Sequence, residues 1–213
     1  MRDVVDGVGA RPIVGVTMLL EPFAGLEVVR VDSPAEADVY EQRFVEAYRR
    51  IFAGEPYFED FTEDEARAQW RRLTRAKRNI TVVALEPDGT MAGFGIAIPL
   101  TEAPDVARAL SGLVPVKATM YLVELGVGEA WRGKRLARHL VKVRIGLIDP
   151  ELFSHVVLRV AEGRSTSFDM YRSLDFTDMG VSMGVQQRRT DGTVRGDTRH
   201  FLSRVLSQVM IDD

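Results

Sequence analysis

The chain has no cysteine and only three histidines among its 213 residues. The absence of cysteine excludes disulfides, thiolate catalysis and cysteine-ligated zinc. The three histidines, His139, His155 and His200, do not have a spacing typical of a metal site. We therefore expect no metal cofactor.

Long apolar runs and a large excess of one charge are also missing. The longest apolar run, Ile13 to Leu20, is too short to cross a bilayer, and the N-terminus lacks the pattern of a signal peptide. A net charge of −3 does not favour broad attraction to nucleic acid. We expect a cytoplasmic protein with neither membrane nor nucleic-acid partners. The 46% apolar and 28% charged residues are typical of a globular domain.

Apolar periodicity, helix caps and turn signals predict the order β-α-α-β-β-β-α-β-α-β-β. The predicted strands are 26–31, 80–86, 91–98, 118–127, 155–161, 181–187 and 199–206, and the predicted helices are 34–52, 63–77, 136–148 and 165–174. Ser33 and Thr62 are expected to cap the first two helices. Residues 101–116 form an insertion with a short helix, and the apolar segment 12–24 could add a strand.

Four cations are concentrated where the third long helix is predicted to begin. They are Arg132, Lys134, Arg135 and Arg138. A helix start already carries partial positive charge and unpaired N–H groups, so cations there are unfavourable unless an anion lies among them. A strand, a tight basic turn and a helix together predict a phosphate-binding cradle.

The turn reads Arg132-Gly133-Lys134-Arg135-Leu136-Ala137. It resembles the pyrophosphate-binding pattern Gln/Arg-x-x-Gly-x-Gly/Ala of the GNAT superfamily of acyl-CoA-dependent N-acyltransferases. The first and last positions fit, whereas Arg135 stands where the pattern has its central glycine. The resemblance covers about residues 26–206.

A second segment, residues 164–176, is similar to the family pattern Asn-x-x-Ala-x-x-Leu-Tyr-x-x-x-Gly-Phe. Tyr171 and Phe176 match, and Ser167 is a small residue in place of alanine. Arg164 replaces the asparagine and Asp175 replaces the helix-ending glycine. Aspartate tolerates the left-handed conformation better than most residues, so we expect the turn to be preserved.

The resemblance implies a mixed α/β (α+β) domain over 26–213, preceded by an N-terminal extension, 1–25. Its central sheet would be mostly antiparallel, with about seven strands flanked by helices. The implied activity is direct transfer of an acyl group, by default acetyl, from acetyl-CoA or another acyl-CoA to the primary amine of a small molecule. The implied cofactor-binding residues are Leu125, Gly126, Val127, Arg132, Gly133, Lys134, Arg135, Leu136, Ala137, Arg164 and Ser167.

The resemblance also implies two catalytic residues. Glu124 takes the position of a general base and Tyr171 that of the acid that protonates the departing thiolate. The alternatives are a strand carboxylate paired with an arginine and a tyrosine packed on the sheet. Strand alternation predicts Glu124 and Gly126 on one face and Val123, Leu125 and Val127 on the other, with Gly126 leaving room for substrate.

Residues 55–61 mix aromatic and acidic side chains. They could hold a cationic amine by charge and cation–π contact, or form a solvated acidic cap. Trp131, beside the cradle, could pack in the fold or contact adenine.

Two other functions remain open, a non-catalytic acyl-CoA-binding sensor or scaffold and a protein or peptide N-acetyltransferase. A P-loop is excluded because no serine or threonine follows Gly133-Lys134, and a Rossmann unit because its glycine motif is missing. The C-terminal strands could also pair in a homodimer.

Overall fold

The computed structural model describes residues 18–161 and 166–206. Its strands are β1 (Met18–Leu19), β2 (Glu27–Val31), β3 (Ile80–Leu85), β4 (Met91–Pro99), β5 (Thr119–Val127), β6 (His155–Ala161), β7 (Thr177–Arg188) and β8 (Val194–Val205). Its α-helices are α1 (Pro34–Ala53), α2 (Glu63–Thr74), α3 (Pro104–Ala109), α4 (Leu136–Gly146) and α5 (Thr166–Arg172). The predicted element order is confirmed, and β1 adds a strand from the apolar N-terminal segment.

The strands form one sheet of eight in the order β1-β2-β3-β4-β5-β6-β8-β7. Neighbouring strands are antiparallel except β5 and β6, which run parallel. This confirms the mixed, mostly antiparallel sheet flanked by helices. The described part of the N-terminal extension joins the sheet, because β1 pairs with β2.

Helices α1 and α2 cover one face of the sheet. Their starts are capped as predicted, since the Ser33 side chain accepts from the Glu36 N–H and Thr62 forms a reciprocal capping box with Glu65. Phe44 and Trp70 pack there with ring centroids 4.5 Å apart, both buried. Helices α4 and α5 pack on the opposite face. Among the described residues, no helix is long and apolar enough to span a membrane.

Strands β5 and β6 separate partway along their length. They pair from Thr119 with His155 to Leu122 with Leu158, whereas β5 continues to Val127 and β6 to Ala161. The diverging ends leave an opening in the middle of the sheet.

A β-bulge lies in β5 just where the two strands part. Ile96 of β4 faces Glu124, but the next residue, Ala97, faces Leu122, so Val123 has no partner on β4. The predicted alternation is therefore wrong at Val123, which packs against the same core cluster as Tyr121 on the α1–α2 side. Strict alternation fails because the bulge inserts one residue into the strand.

Candidate active site

A cavity of about 600 Å³ lies between the α1–α2 pair, the separated ends of β5 and β6, and β7. Among the predicted site residues, Glu124, Leu125, Ser167 and Tyr171 line it. The two predicted catalytic side chains, which are 47 positions apart in sequence (171 − 124), thus face one space.

Glu124 lies on the α1–α2 side of the opening and is partly buried. The Gln69 amide donates to Glu124 Oε1 at 2.7 Å, and the Tyr48 hydroxyl lies 3.5 Å from the same oxygen. Burial raises the pKa of Glu124 to about 7, although the Gln69 hydrogen bond and nearby arginines oppose the shift. Near neutral pH this carboxyl group can therefore both accept and release a proton.

Gly126 does not leave room for a substrate as predicted. A Cβ atom at Gly126 would lie 2.3 Å from the ring of Phe94, so that ring already occupies the space. Phe94 is fully buried among the α1–α2 core residues. Glycine is needed here so that the ring can pack against the strand backbone.

A buried arginine below the opening was not predicted from the sequence. Arg144 of α4 is 0% exposed, and its Nη1 donates to the carbonyl oxygens of Ile96 at 3.1 Å and Glu124 at 2.9 Å. Its Nη2 has no hydrogen-bond partner among the described residues. Gly95 leaves space for it, since a Cβ there would lie 2.6 Å from Arg144 Nε. In the sequence Arg144 cannot be told apart from the other cations of an amphipathic helix. The one related signal is Gly95, a glycine within a strand, which is typical of a close approach by another group.

Tyr171 lies on α5, beside Arg144, and is 6% exposed. Burial raises the pKa of Tyr171 to about 12, while the positive charge of Arg144 opposes the shift. The phenol therefore carries its proton at neutral pH, with a cation next to it. Asp175 ends this segment with φ = +64°, which confirms the left-handed turn predicted where the family has glycine.

The basic turn begins α4 in an unusual conformation. Arg135 is the N-cap with φ = +68°, and none of the described side chains caps this helix start. Gly133 also has positive φ, at +72°. The backbone thus keeps a conformation suited to glycine although an arginine occupies position 135. The first N–H groups of α4 have no partner within the helix, as an anion-binding turn requires.

The four cations of this turn point in different directions. Arg132 Nη2 lies 3.5 Å from the carbonyl oxygen of Ile51, near the end of α1, and Arg138 donates to Ser173 after α5. The Lys134 ammonium lies 5.0 Å from the centroid of the Trp131 ring. Arg135 is exposed, and its side chain has no hydrogen bond or ion pair with the described residues. Arg132 and Arg138 thus already form hydrogen bonds within the protein.

The remaining cofactor-binding candidates differ in exposure. Leu136 is buried in the core below α4, whereas Ala137 is partly buried, so Leu136 can contribute only its backbone. Leu125 and Val127 pack on the α4 side of β5. Arg164 lies outside the described residues.

The acidic side chains of the loop before α2 are mostly neutralised. Glu59 is buried and pairs with Arg199 at 2.8 Å, while Asp60 pairs with Arg188 at 3.0 Å. Tyr57 and Phe61 of the same loop line the cavity. The loop therefore offers aromatic surface to a substrate, whereas these two carboxylates hold the β7–β8 hairpin. Trp131 is partly buried and donates to Glu86 at 3.0 Å, which favours a packing role.

Comparison with known proteins agrees with this geometry. Residues 42–176, more than half of the chain, match the acetyltransferase (GNAT) family. A putative acetyltransferase from Acinetobacter baylyi has 15% identity and a TM-score of 0.60, with 90% of this chain and 98% of that chain covered. A putative acetyltransferase from Salmonella typhimurium, solved with its cofactor acetyl-CoA, has 16% identity and a TM-score of 0.59, with 89% and 99% covered. No functionally curated protein matches the chain in sequence.

The chain belongs to the GNAT acetyltransferase family. Membership in this family supports acyl transfer from an acyl-CoA. The similarity to the two solved structures concerns the fold alone.

Proposed function

We propose that this protein is an N-acetyltransferase that moves an acetyl group directly from acetyl-CoA to the primary amine of a small molecule. The observation that carries the proposal is the shared cavity, which is lined by Glu124 on one side and by Tyr171 on the other. A protein that only bound acyl-CoA would not require a partly buried carboxyl group with a raised pKa in that cavity.

The residues present fit acyl-CoA. The diphosphate would lie at the uncapped start of α4, where backbone N–H groups from Arg135 onward and the free guanidinium of Arg135 can bind it. The pantetheine arm would follow the unpaired edge of β5 at Leu125, Gly126 and Val127. When bound, the co-substrate supplies its acyl group as an activated thioester.

The side chains around the cavity account for both proton transfers. The Glu124 carboxylate takes a proton from the acceptor's ammonium group, so that the neutral amine nitrogen can bond to the acyl carbon. As the carbon–sulfur bond breaks, Tyr171 gives its hydroxyl proton to the departing sulfur, and the Arg144 cation stabilises the resulting phenolate. When the amide forms, the nitrogen loses its second proton, which restores the Tyr171 hydroxyl by way of solvent. Release of the first proton from Glu124 to solvent completes the cycle.

The test measures release of free thiol from acetyl-CoA with a panel of small amines across pH. For the wild type, kcat/KM should fall about tenfold per pH unit below about 7, because only the ionised Glu124 accepts a proton. Glu124→Gln should remove the break near pH 7, so that the rate follows only the fraction of neutral acceptor amine, and should lower turnover by about 10² to 10⁴. Tyr171→Phe should lower turnover without loss of acetyl-CoA affinity.

Glu151→Gln is the matched control, because Glu151 is exposed and does not line the cavity. This variant should behave as wild type. An unchanged pH profile in Glu124→Gln would show that this carboxylate is not the base. Binding of acetyl-CoA without turnover of any small amine, peptide or protein would favour a sensor or scaffold instead.

A further inference from the structure

Six charged side chains line the cavity, and they are not equally neutralised. They are Glu59, Glu65, Arg72, Glu124, Arg159 and Arg199. Glu59 and Arg199 pair with each other at 2.8 Å, and Glu65 pairs with Arg188 at 2.8 Å. Subtracting these pairs leaves two cations, Arg72 and Arg159, and one carboxyl group, Glu124.

Arg159 of β6 is held rigidly with part of its guanidinium free. Its Nε donates to the Tyr121 hydroxyl at 2.7 Å, and its Nη1 lies 3.5 Å from the sulfur of Met183. The guanidinium also lies over the Tyr121 ring, 5.7 Å from its centroid. Within residues 18–161 and 166–206, no carboxylate pairs with Arg159. A fixed arginine of this kind is suited to bind an oxyanion through its Nη2 and the second N–H of Nη1.

Arg72 of α2 is linked to the predicted base through Gln69. Its Nε and Nη2 donate to Gln69 Oε1 at 3.3 and 3.0 Å, and the Gln69 amide nitrogen donates to Glu124 Oε1 at 2.7 Å. Arg72 is exposed and forms no ion pair with the described residues. Positive charge therefore lies close to the carboxyl group that is to receive the amine's proton.

This balance of charge is unsuited to a simple amine or a polyamine. A substrate with only positive charge would meet two unpaired guanidinium groups and a single carboxyl group. An acceptor that carries an acidic group as well as the amine would place its amine at Glu124 and its anion at Arg159. The ammonium group of such a molecule would then lie beside a carboxylate, and its anionic group beside a guanidinium.

We propose that the acceptor is a small amino acid, meaning a primary amine with a carboxylate on the same molecule, whose carboxylate is bound by Arg159 with support from Arg72. This inference rests on the proposed function and specifies its substrate class. Arg159 and Arg72 then determine specificity, whereas Glu124 and Tyr171 perform the proton transfers. Aromatic side chains of the cavity, such as Tyr57 and Phe61, would contact the rest of the acceptor.

The experiment compares acceptors that differ only in the carboxyl group. Leucine, phenylalanine, β-alanine and 4-aminobutyrate are each assayed beside the amine that lacks only that group, with acetyl-CoA as donor. For at least one pair, the wild type should have a kcat/KM about 10- to 100-fold higher for the acid, as expected for charge-assisted hydrogen bonds. Arg159→Met should abolish most of this preference, because kcat/KM should fall much more for the acid than for the simple amine.

Two further variants distinguish loss of the carboxylate contact from misfolding of Arg159→Met. Arg72→Met changes an exposed side chain and should reduce the preference by a smaller factor, and Arg159→Lys should restore part of it. Arg108→Met, at an exposed arginine of α3 away from the cavity, is the matched control and should keep the full preference.

Equal or better turnover of every simple amine would overturn the inference and leave the acetyltransferase function in place. If no member of the panel is turned over, protection from thermal unfolding in the presence of coenzyme A is compared for each pair. No greater protection by the acids would likewise overturn the inference. Failure of acetyl-CoA itself to bind would instead remove the proposed function.

Discussion

Replacing Arg135 with glycine is expected to stabilise the protein and to weaken its binding of coenzyme A. Arg135 has φ = +68°, where the side chain of an L-residue costs about 1–2 kcal/mol. Glycine avoids this cost but loses about 0.5–1 kcal/mol through the greater freedom of the unfolded chain. The net gain should be about 0.5–1 kcal/mol, which raises Tm by about 1–4 °C for a chain of this size.

The same substitution removes the exposed guanidinium that we place at the diphosphate. Loss of one charge-assisted hydrogen bond corresponds to about a tenfold or greater loss of affinity. Thermal unfolding without ligand and calorimetric titration with coenzyme A measure the two effects separately. Arg135→Ala is the matched control, since it removes the charge but keeps a Cβ in the left-handed conformation.

The alanine variant should therefore bind coenzyme A as weakly as the glycine variant without its gain in Tm. Equal Tm values for the two variants would show that position 135 stores no conformational strain. Wild-type affinity in both would show that the guanidinium does not contact the diphosphate.

Two further substitutions test the environment of the candidate site. Gln69→Leu removes a hydrogen bond that favours ionised Glu124, so the pKa of Glu124 should rise and the acidic limb of the pH–rate profile should move up by about one unit. An unmoved limb would contradict the role of this amide. Gly95→Ala should cost about 1–3 kcal/mol in denaturant unfolding, because the new methyl group would collide with the buried Arg144. Gly184→Ala, on a strand with open space around it, is the control and should cost much less.

The predictions that succeeded concern interactions between residues close in sequence. Ser33 and Thr62 cap their helices through backbone groups three residues away, and Asp175 adopts its left-handed conformation within one turn. Such local preferences are the same in any fold, so the order of helices and strands can be read from the chain. The similarity of two short motifs to those of the GNAT family then added the mostly antiparallel central sheet and the candidate catalytic residues.

The predictions that failed involve contacts across the sheet. Val123 changes face because of a bulge against β4, and the space beside Gly126 is taken by Phe94, 32 positions earlier (126 − 94). Neither the inserted residue nor the position of a distant ring leaves a periodic signal in the sequence.

The sequence by itself determined the element order, the helix starts and the cluster of cations before α4, because short-range backbone preferences and charge do not depend on the rest of the fold. Only the tertiary structure decided how charge is distributed in the cavity. Glu59 is neutralised by Arg199, 140 positions away, whereas Arg159 is left facing the space beside Glu124. Electrostatic interaction depends on distance in space and on burial, so which charges remain unpaired is known only after the chain has folded.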